Sequence, residues 1–371
     1  MSITITAATL DRSGDNPHPY AETLPLTLKA LTLAPPRAGE LLVRIDAAGI
    51  CHSDLSVVNG DRVRPMPMAL GHEAAATVVA LGDVDDGQFG VGDQVVLVFL
   101  PSCGRCVACA SGVGYLCPEA AAANGAGELI GGGSRLSHNG EKVHHHLGVS
   151  AFATHAVVDR RSAIKIDRDI PPTIAALFGC AVLTGVGAVM NTAAVRPGES
   201  VMIYGLGGVG LAALLGALAA GAQPVTAVDP SAEKRALALA LGASQAVAPE
   251  NAGELAKTDV VIETVGKADV LALAYGAARR GGRVVTVGLP SPDAMLQIPA
   301  LSLVAEGKTL MGSYMGSAIP SRDLPRYLAL WRAGRLPVER LLTSVSPLAE
   351  INGLLDTLER GEAVRQVVLP H

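Results

Sequence analysis

Aromatic residues make up only 3% of this 371-residue chain, with a single tryptophan. Its core must therefore be filled by aliphatic side chains, a composition that suits a parallel sheet buried between helices. The net charge is -5 and Lys and Arg are concentrated in no segment, which excludes an electrostatic nucleic-acid surface. Apolar runs are broken by Gly, Pro or charge before they reach membrane-spanning length, and Met1 to Thr6 show no basic region followed by an apolar one. The chain is accordingly read as cytoplasmic, with neither membrane nor nucleic acid as partner. Cysteine is also scarce, at six residues. Disulfides are rare in reducing compartments and thiolate is a strong zinc ligand, so these few thiols point to metal. Length alone favours two domains, since one core rarely serves so long a chain.

From about residue 38 to 165 the pattern is irregular and mainly β. Leu41 to Ile45, Ala76 to Ala80 and Gln94 to Phe99 read as strands, with turns at Gly82, Gly87, Gly90 and Gly92. The Ala-, Gly- and His-rich stretch between Cys117 and Gly148 has no period and reads as a long loop. After about residue 182, strands at Val201 to Gly205, Pro224 to Val228, Asp259 to Glu263 and Arg283 to Val287 alternate with helices at Val209 to Ala220, Ser231 to Leu241 and Ala268 to Arg279. That alternation predicts a doubly wound parallel sheet. A helix at Arg322 to Ala333 follows, and a strand at Arg365 to Leu369 is expected to return to the first domain.

Gly205-Leu206-Gly207-Gly208-Val209-Gly210 places G-x-G-x-x-G between a strand and a helix, and Asp229 closes the next strand. This context marks a dinucleotide site. Gly205 permits the turn, Gly207 lets the backbone approach the pyrophosphate, and Gly210 lets helix and strand pack closely. Asp229 would accept bonds from the adenosine ribose and repel a 2′-phosphate, which favours NAD over NADP, and Lys234 reaches the same ribose.

Cys103, Cys106, Cys109 and Cys117 form C-x2-C-x2-C-x7-C. Such a cluster can wrap one tetrahedral zinc as a closed structural site. The iron-sulfur alternative spaces its last cysteine by three residues, where this chain has seven. Cys51, His72 and Cys180 stand in separate glycine-bounded segments. Together they would give three zinc ligands and leave a fourth position open, as a catalytic zinc requires.

These motifs, in this order, resemble the zinc-dependent alcohol dehydrogenases of the medium-chain dehydrogenase/reductase family, in the long-chain branch of the dimeric enzymes. The resemblance rests on Gly49 to Asp54, Gly71-His72-Glu73, the four-cysteine lobe, Gly179-Cys180 with Thr184, and the glycine turn. It implies an α/β protein: a GroES-like β-barrel catalytic domain over 1–181 and 315–371, carrying the structural zinc lobe, and a Rossmann NAD-binding domain over 182–314. It implies two zinc ions per chain, catalytic on Cys51, His72 and Cys180, and structural on the clustered cysteines. Glu73 would lie beside the catalytic zinc, Asp54 would support His72, and Thr184 would face the nicotinamide. Gly208 and Val209 would join the glycines at the cofactor. Ser53 would take the alcohol proton.

His52 stands where relatives often carry a pyrophosphate-binding arginine, and Arg365 matches a second such arginine. Ser56 replaces the histidine that ends the proton relay in some relatives, so the proton would leave through His52 or water. Phe99, Leu116 and Leu147 would line an apolar substrate channel, and the run His144-His145-His146 is read as loop or pocket wall. The implied activity is hydride transfer between a primary or secondary alcohol and NAD, giving an aldehyde or ketone, in a homodimer. The alternatives are a glutathione-dependent formaldehyde dehydrogenase, against which Ala121 stands in place of an arginine, and a non-catalytic NAD-binding protein.

Overall fold

Residues Ile3–Leu10 and Leu26–Leu33 pair antiparallel from Ile3 opposite Leu33 to Leu10 opposite Leu26. Strands Leu136–His138, Glu141–His145 and Met68–Ala69 close them into a barrel. Beside it, strand Glu40–Ile50 pairs antiparallel with Ala74–Leu81, His155–Asp159 and the C-terminal strand Arg365–Leu369. The latter confirms the expected return of the chain to its first part. Leu10, Val43, Ile45, Ile50, Leu70, Leu97 and Phe152 fill the core of this region and are fully or almost fully buried.

The computed structural model describes residues 1–14, 16–82 and 87–371. By their contacts these divide into Met1–Cys180 with Leu342–His371, and Ala181–Leu341. The second unit is a parallel sheet in the order Gln245–Val247, Val225–Val228, Val201–Tyr204, Thr258–Glu263, Ala278–Thr286, Thr309–Gly312. Helices Gly208–Ala219, Ala232–Ala240 and Ala268–Ala277 connect the strands. Ser231 caps the second of them by accepting from the Lys234 amide at 3.3 Å.

Two expectations differ from this architecture. Residues 315–341, placed with the first domain on sequence grounds, pack with the second unit. Asn191 draws them there: its amide donates to the Gly316 carbonyl and to buried Asp323, at 3.2 and 3.1 Å, and contacts the Tyr327 hydroxyl. The stretch after Cys117, read as loop, contains helix Pro118–Ala126 and the two short barrel strands. An Ala-rich helix shows no apolar stripe, and strands this short take their conformation from their neighbours.

Candidate active site

Strand Glu40–Ile50 delivers Cys51 as N-cap of helix His52–Val58. Asp54 carries out two tasks there. One carboxylate oxygen accepts from the Cys51 amide at 3.0 Å, closing the helix end, and the other lies 3.0 Å from His72 Nδ1. Burial alone would raise Asp54, yet His72, with a further contribution from His146, holds it below the usual carboxylate range. The same carboxylate, against the opposing effect of burial, raises His72.

His72 Nε2 is then left buried with no hydrogen-bond partner. Around it gather the sulfurs of Cys51 and Cys180 and a Glu73 oxygen, all ligand atoms within 4.8 Å of one another. Contact with Cys180 draws the Cys51 thiol well down, and contact with Cys51, reinforced by burial, pushes Cys180 well up. The two sulfurs thus lie together, facing an orphaned imidazole nitrogen. That donor set suits zinc: two soft sulfurs and one imidazole, with Asp54 fixing the ring from behind. The flanking glycines are steric necessities. A Cβ on Gly49 would lie 2.7 Å from the Glu73 carboxyl carbon, and one on Gly71, at φ +90, would lie 2.5 Å from the Phe152 nitrogen.

Arg365 has a partner that the sequence did not show. Expected at the cofactor pyrophosphate, its guanidinium is buried and paired with Glu73 Oε1. Burial opposes its charge, but Glu73 and the two cysteines outweigh that and raise it. An arginine starting a central strand has no route to solvent, so it neutralises the nearest buried acid. His146 is the residue that sequence reasoning undervalued. It is 1% exposed, lies edge-on to His72 at 5.5 Å between ring centroids, and brings Nδ1 to 3.2 Å from the Asp54 oxygen that holds His72. That approach is out of line for a hydrogen bond.

His145 turns the other way. Its Nε2 accepts from the Arg135 amide, and burial, with Arg135 adding to it, pushes its pKa down to about 3. His144 is half-buried, with Nδ1 3.2 Å from the Ala126 carbonyl.

Ser53 Oγ lies 3.9 Å from Cys51 Sγ, and Ser56 donates to the Ser53 carbonyl at 2.9 Å. His52 is exposed on the first turn of the helix. Phe99 is buried, edge-on to His72 at 5.6 Å, and Leu147 is buried beside His146, whereas Leu116 is exposed on the cysteine lobe.

In that lobe the ligand sulfurs of Cys103, Cys106, Cys109 and Cys117 lie within 4.8 Å of one another. The Cys103–Cys109 and Cys106–Cys117 pairs are each 3.9 Å apart. Tetrahedral zinc with sulfur at about 2.3 Å requires ligands about 3.8 Å apart, so the spacing fits one ion and leaves no room for a cluster. Amides of Cys103, Cys106 and Cys109 point at neighbouring sulfurs at 3.3–3.4 Å. Burial resists it, yet amide hydrogen bonds from Ala120 and Cys103 bring Cys117 down to about 7. Arg161 ties the lobe to the sheet by donating to the Cys103 carbonyl.

In the second unit, Gly205 at φ +88 starts the turn before helix Gly208–Ala219, whose first residues are Gly208, Val209 and Gly210. A Cβ on Gly207 would project into open space, the place a pyrophosphate needs. Asp229 accepts from the Leu206 and Ser231 amides at 2.7 and 2.8 Å, which fixes its carboxylate beside the turn with lone pairs to spare. Lys234 is half-buried, and Thr184 is buried on helix Ala181–Gly187. Arg235, overlooked in the sequence, donates to the Asp229 and Pro230 carbonyls at 2.7 and 2.8 Å.

Known proteins carry the same combination. Residues 208–332 match the family model described as zinc-binding dehydrogenase, and residues 37–168 match the alcohol dehydrogenase GroES-like domain. A geraniol dehydrogenase from Castellaniella defragrans is 38% identical, covering 93% of this chain and 94% of its own. Alcohol dehydrogenase B of Mycobacterium tuberculosis is 37% identical, covering 93% and 95%. The crystal structure of benzyl alcohol dehydrogenase from Acinetobacter calcoaceticus superposes with a TM-score of 0.91 at 29% identity, covering 99% of each chain. Similarity along both units, added to two thiol-rich sites and a glycine turn, leads to one conclusion: this chain belongs to the zinc-dependent alcohol dehydrogenases of the medium-chain dehydrogenase/reductase family.

Proposed function

We propose that this alcohol oxidoreductase interconverts primary or secondary alcohols carrying an apolar allylic or aromatic group with the corresponding aldehydes or ketones, using NAD. The observation that carries the reading is the buried, partnerless His72 Nε2 facing two cysteine sulfurs, beside the Phe99 ring. Zinc held by Cys51, His72 and Cys180 would supply the positive charge that acidifies a bound alcohol, and NAD would accept the hydride. The chain's own residues do the rest. Asp54 keeps the His72 tautomer that presents Nε2. Ser53, next to Cys51, takes the alcohol proton and passes it on by way of His52 or water. Phe99 and Leu147 give the reacting carbon an apolar wall. Glu73, beside the metal position, pairs with Arg365, so the buried arginine's charge is met inside the pocket.

Asp229 supports NAD over NADP, since its fixed carboxylate would repel a 2′-phosphate. Gly205, Gly207 and Gly210 would cradle the pyrophosphate, with Lys234 at the ribose and Thr184 at the nicotinamide. A cytoplasmic homodimer belongs to the same reading. It is supported by the edge strand Thr309–Gly312, whose surroundings expose Leu289, Met295, Leu301 and Val304. No single helix among the described residues is long and apolar enough to cross a membrane.

The test is NADH formation across geraniol, benzyl alcohol, short primary and secondary alcohols, and formaldehyde with and without glutathione. NADP runs in parallel, and a Cys51→Ala protein serves as the control. Turnover of the allylic and aromatic members with NAD, absent in the variant, is expected. Activity confined to formaldehyde with glutathione would replace this reading by the glutathione-linked one.

A further inference from the structure

Helix Ile351–Glu359 carries Asp356 and Glu359 three residues apart, a spacing that puts both carboxylates on one face. His18 stands opposite, with Nδ1 3.0 Å from Glu359 Oε2. The amides of Tyr20 and Ala21 each donate to one Asp356 oxygen at 2.8 Å, so that carboxylate is fixed in orientation while each oxygen keeps a lone pair. The ligand atoms of His18, Asp356 and Glu359 all lie within 4.8 Å of one another.

A second observation is independent of this spacing. Tyr20 is completely buried, its ring 4.3 Å from the His18 ring, and its hydroxyl has no hydrogen-bond partner. Burial, followed by the charges of Glu359, Asp356 and Asp61, pushes its pKa up to about 12. The Tyr20 ring thus packs against the His18 imidazole, with its hydroxyl in surroundings of negative charge.

We propose that His18, Asp356 and Glu359 form a third divalent-metal site, for zinc or a similar first-row ion, distinct from both cysteine-based sites. Imidazole and carboxylate together suit such ions. Nitrogen and oxygen ligands at about 2.0–2.1 Å from tetrahedral zinc lie about 3.3 Å apart, close to the His18–Glu359 distance. A water completing the coordination would give the Tyr20 hydroxyl its missing partner. The ion would fasten the segment Tyr20–Thr23 to the helix Ile351–Glu359, joining the beginning of the chain to its end.

The experiment titrates Zn2+ into protein whose two cysteine-based sites are already filled, by calorimetry and by metal analysis after gel filtration. One further equivalent is expected in the wild type. Both His18→Ala and Glu359→Gln should weaken it at least tenfold while retaining the first two equivalents. His138→Ala, which removes a half-buried histidine far along the chain from this cluster, should leave it unchanged. A wild type that stops at two equivalents overturns the proposal. So does a third equivalent that survives His18→Ala or is lost equally in His138→Ala.

Discussion

Replacing Arg365 with methionine leaves Glu73 buried with no partner for its charge. Both members of the pair are at most 3% exposed at their side chains. Breaking one partner out of such a pair costs about 3–5 kcal/mol. For a unit of about 200 residues, each kcal/mol shifts Tm by about 2–4 °C, so a fall of roughly 6–20 °C is expected. The loss must also depend on pH. Burial already raises Glu73 above its ordinary value of 4.5 against the opposing pull of Arg365, and the variant raises it further. Below 4.5 the carboxyl is protonated in both the folded and unfolded chains, and the variant suffers least. Above it, the folded state holds a proton that the unfolded state has released. Stability therefore falls by about 1.4 kcal/mol per pH unit until pH passes the raised native value.

Scanning calorimetry of the wild type, Arg365→Met, and the Glu73→Gln/Arg365→Met pair, each stripped of metal, at pH 5 and pH 8 measures this. The single variant should lose more at pH 8, and the double variant should recover most of the loss. A fall of under about 2 °C, or a double variant no better than the single one, would refute the reasoning.

Gly210→Ala sets a Cβ 1.8 Å from the Gly205 carbonyl oxygen. The turn must open, and NADH fluorescence titration should show binding weakened by at least about tenfold, or about 1.4 kcal/mol. Cys106→Ser removes one of four sulfurs spaced for a single ion; metal analysis should find one zinc fewer per chain, with the second-unit NAD site still competent by titration. Asp54→Asn should lower zinc affinity at the Cys51 site by about 10–100-fold in chelator competition, and wild-type affinity in that variant would deny Asp54 its supporting role. Burial works against Asp259, yet hydrogen bonds from Ser200 and Arg279 lower it to about 2. Its contribution is thus present above its ordinary 3.8 and lost as pH falls through 2, so Asp259→Asn should destabilise at pH 7 and much less near pH 2.

The glycine turn, the strands around it and the clustered cysteines were legible because each is a local pattern: a fixed spacing that one stretch of chain satisfies alone. Ser231 as a cap and Arg365–Leu369 as a strand belong to the same class. What escaped depends on distant partners. The partner of Arg365 is Glu73, 292 residues away, and nothing near position 365 announces it. His146 sits in a run of three histidines whose members have different fates. Barrel pairing of Met68 with His144 and Ala69 with His145 sets that strand's register, and the chain's turn just beyond brings His146 to Asp54. Arg235 lies one residue past the lysine singled out at the ribose, and only the fold shows its guanidinium folded back on the carbonyls before the helix. Helix Pro118–Ala126 was missed because alanine favours helix without marking a face.

The ion pair between Glu73 and Arg365 also sets a timetable for biosynthesis. Synthesis proceeds at about 5–20 residues per second, so the acid leaves the peptidyl-transferase centre roughly 15–60 s before its arginine is made. The strand that carries Arg365 pairs with Ala48, Gly49 and Ile50 beside the metal ligands, so it takes its place only after the 292 residues that separate Glu73 from Arg365 have been made. Until Arg365 is made, a nascent chain holds Cys51, His72 and Cys180 with an unneutralised acid among them, and the catalytic pocket reaches its final charge balance only once that strand is in place. Nascent chains stalled before residue 365 should bind zinc at the cysteine lobe and lack a finished catalytic pocket, which makes metal loading there a late step of maturation.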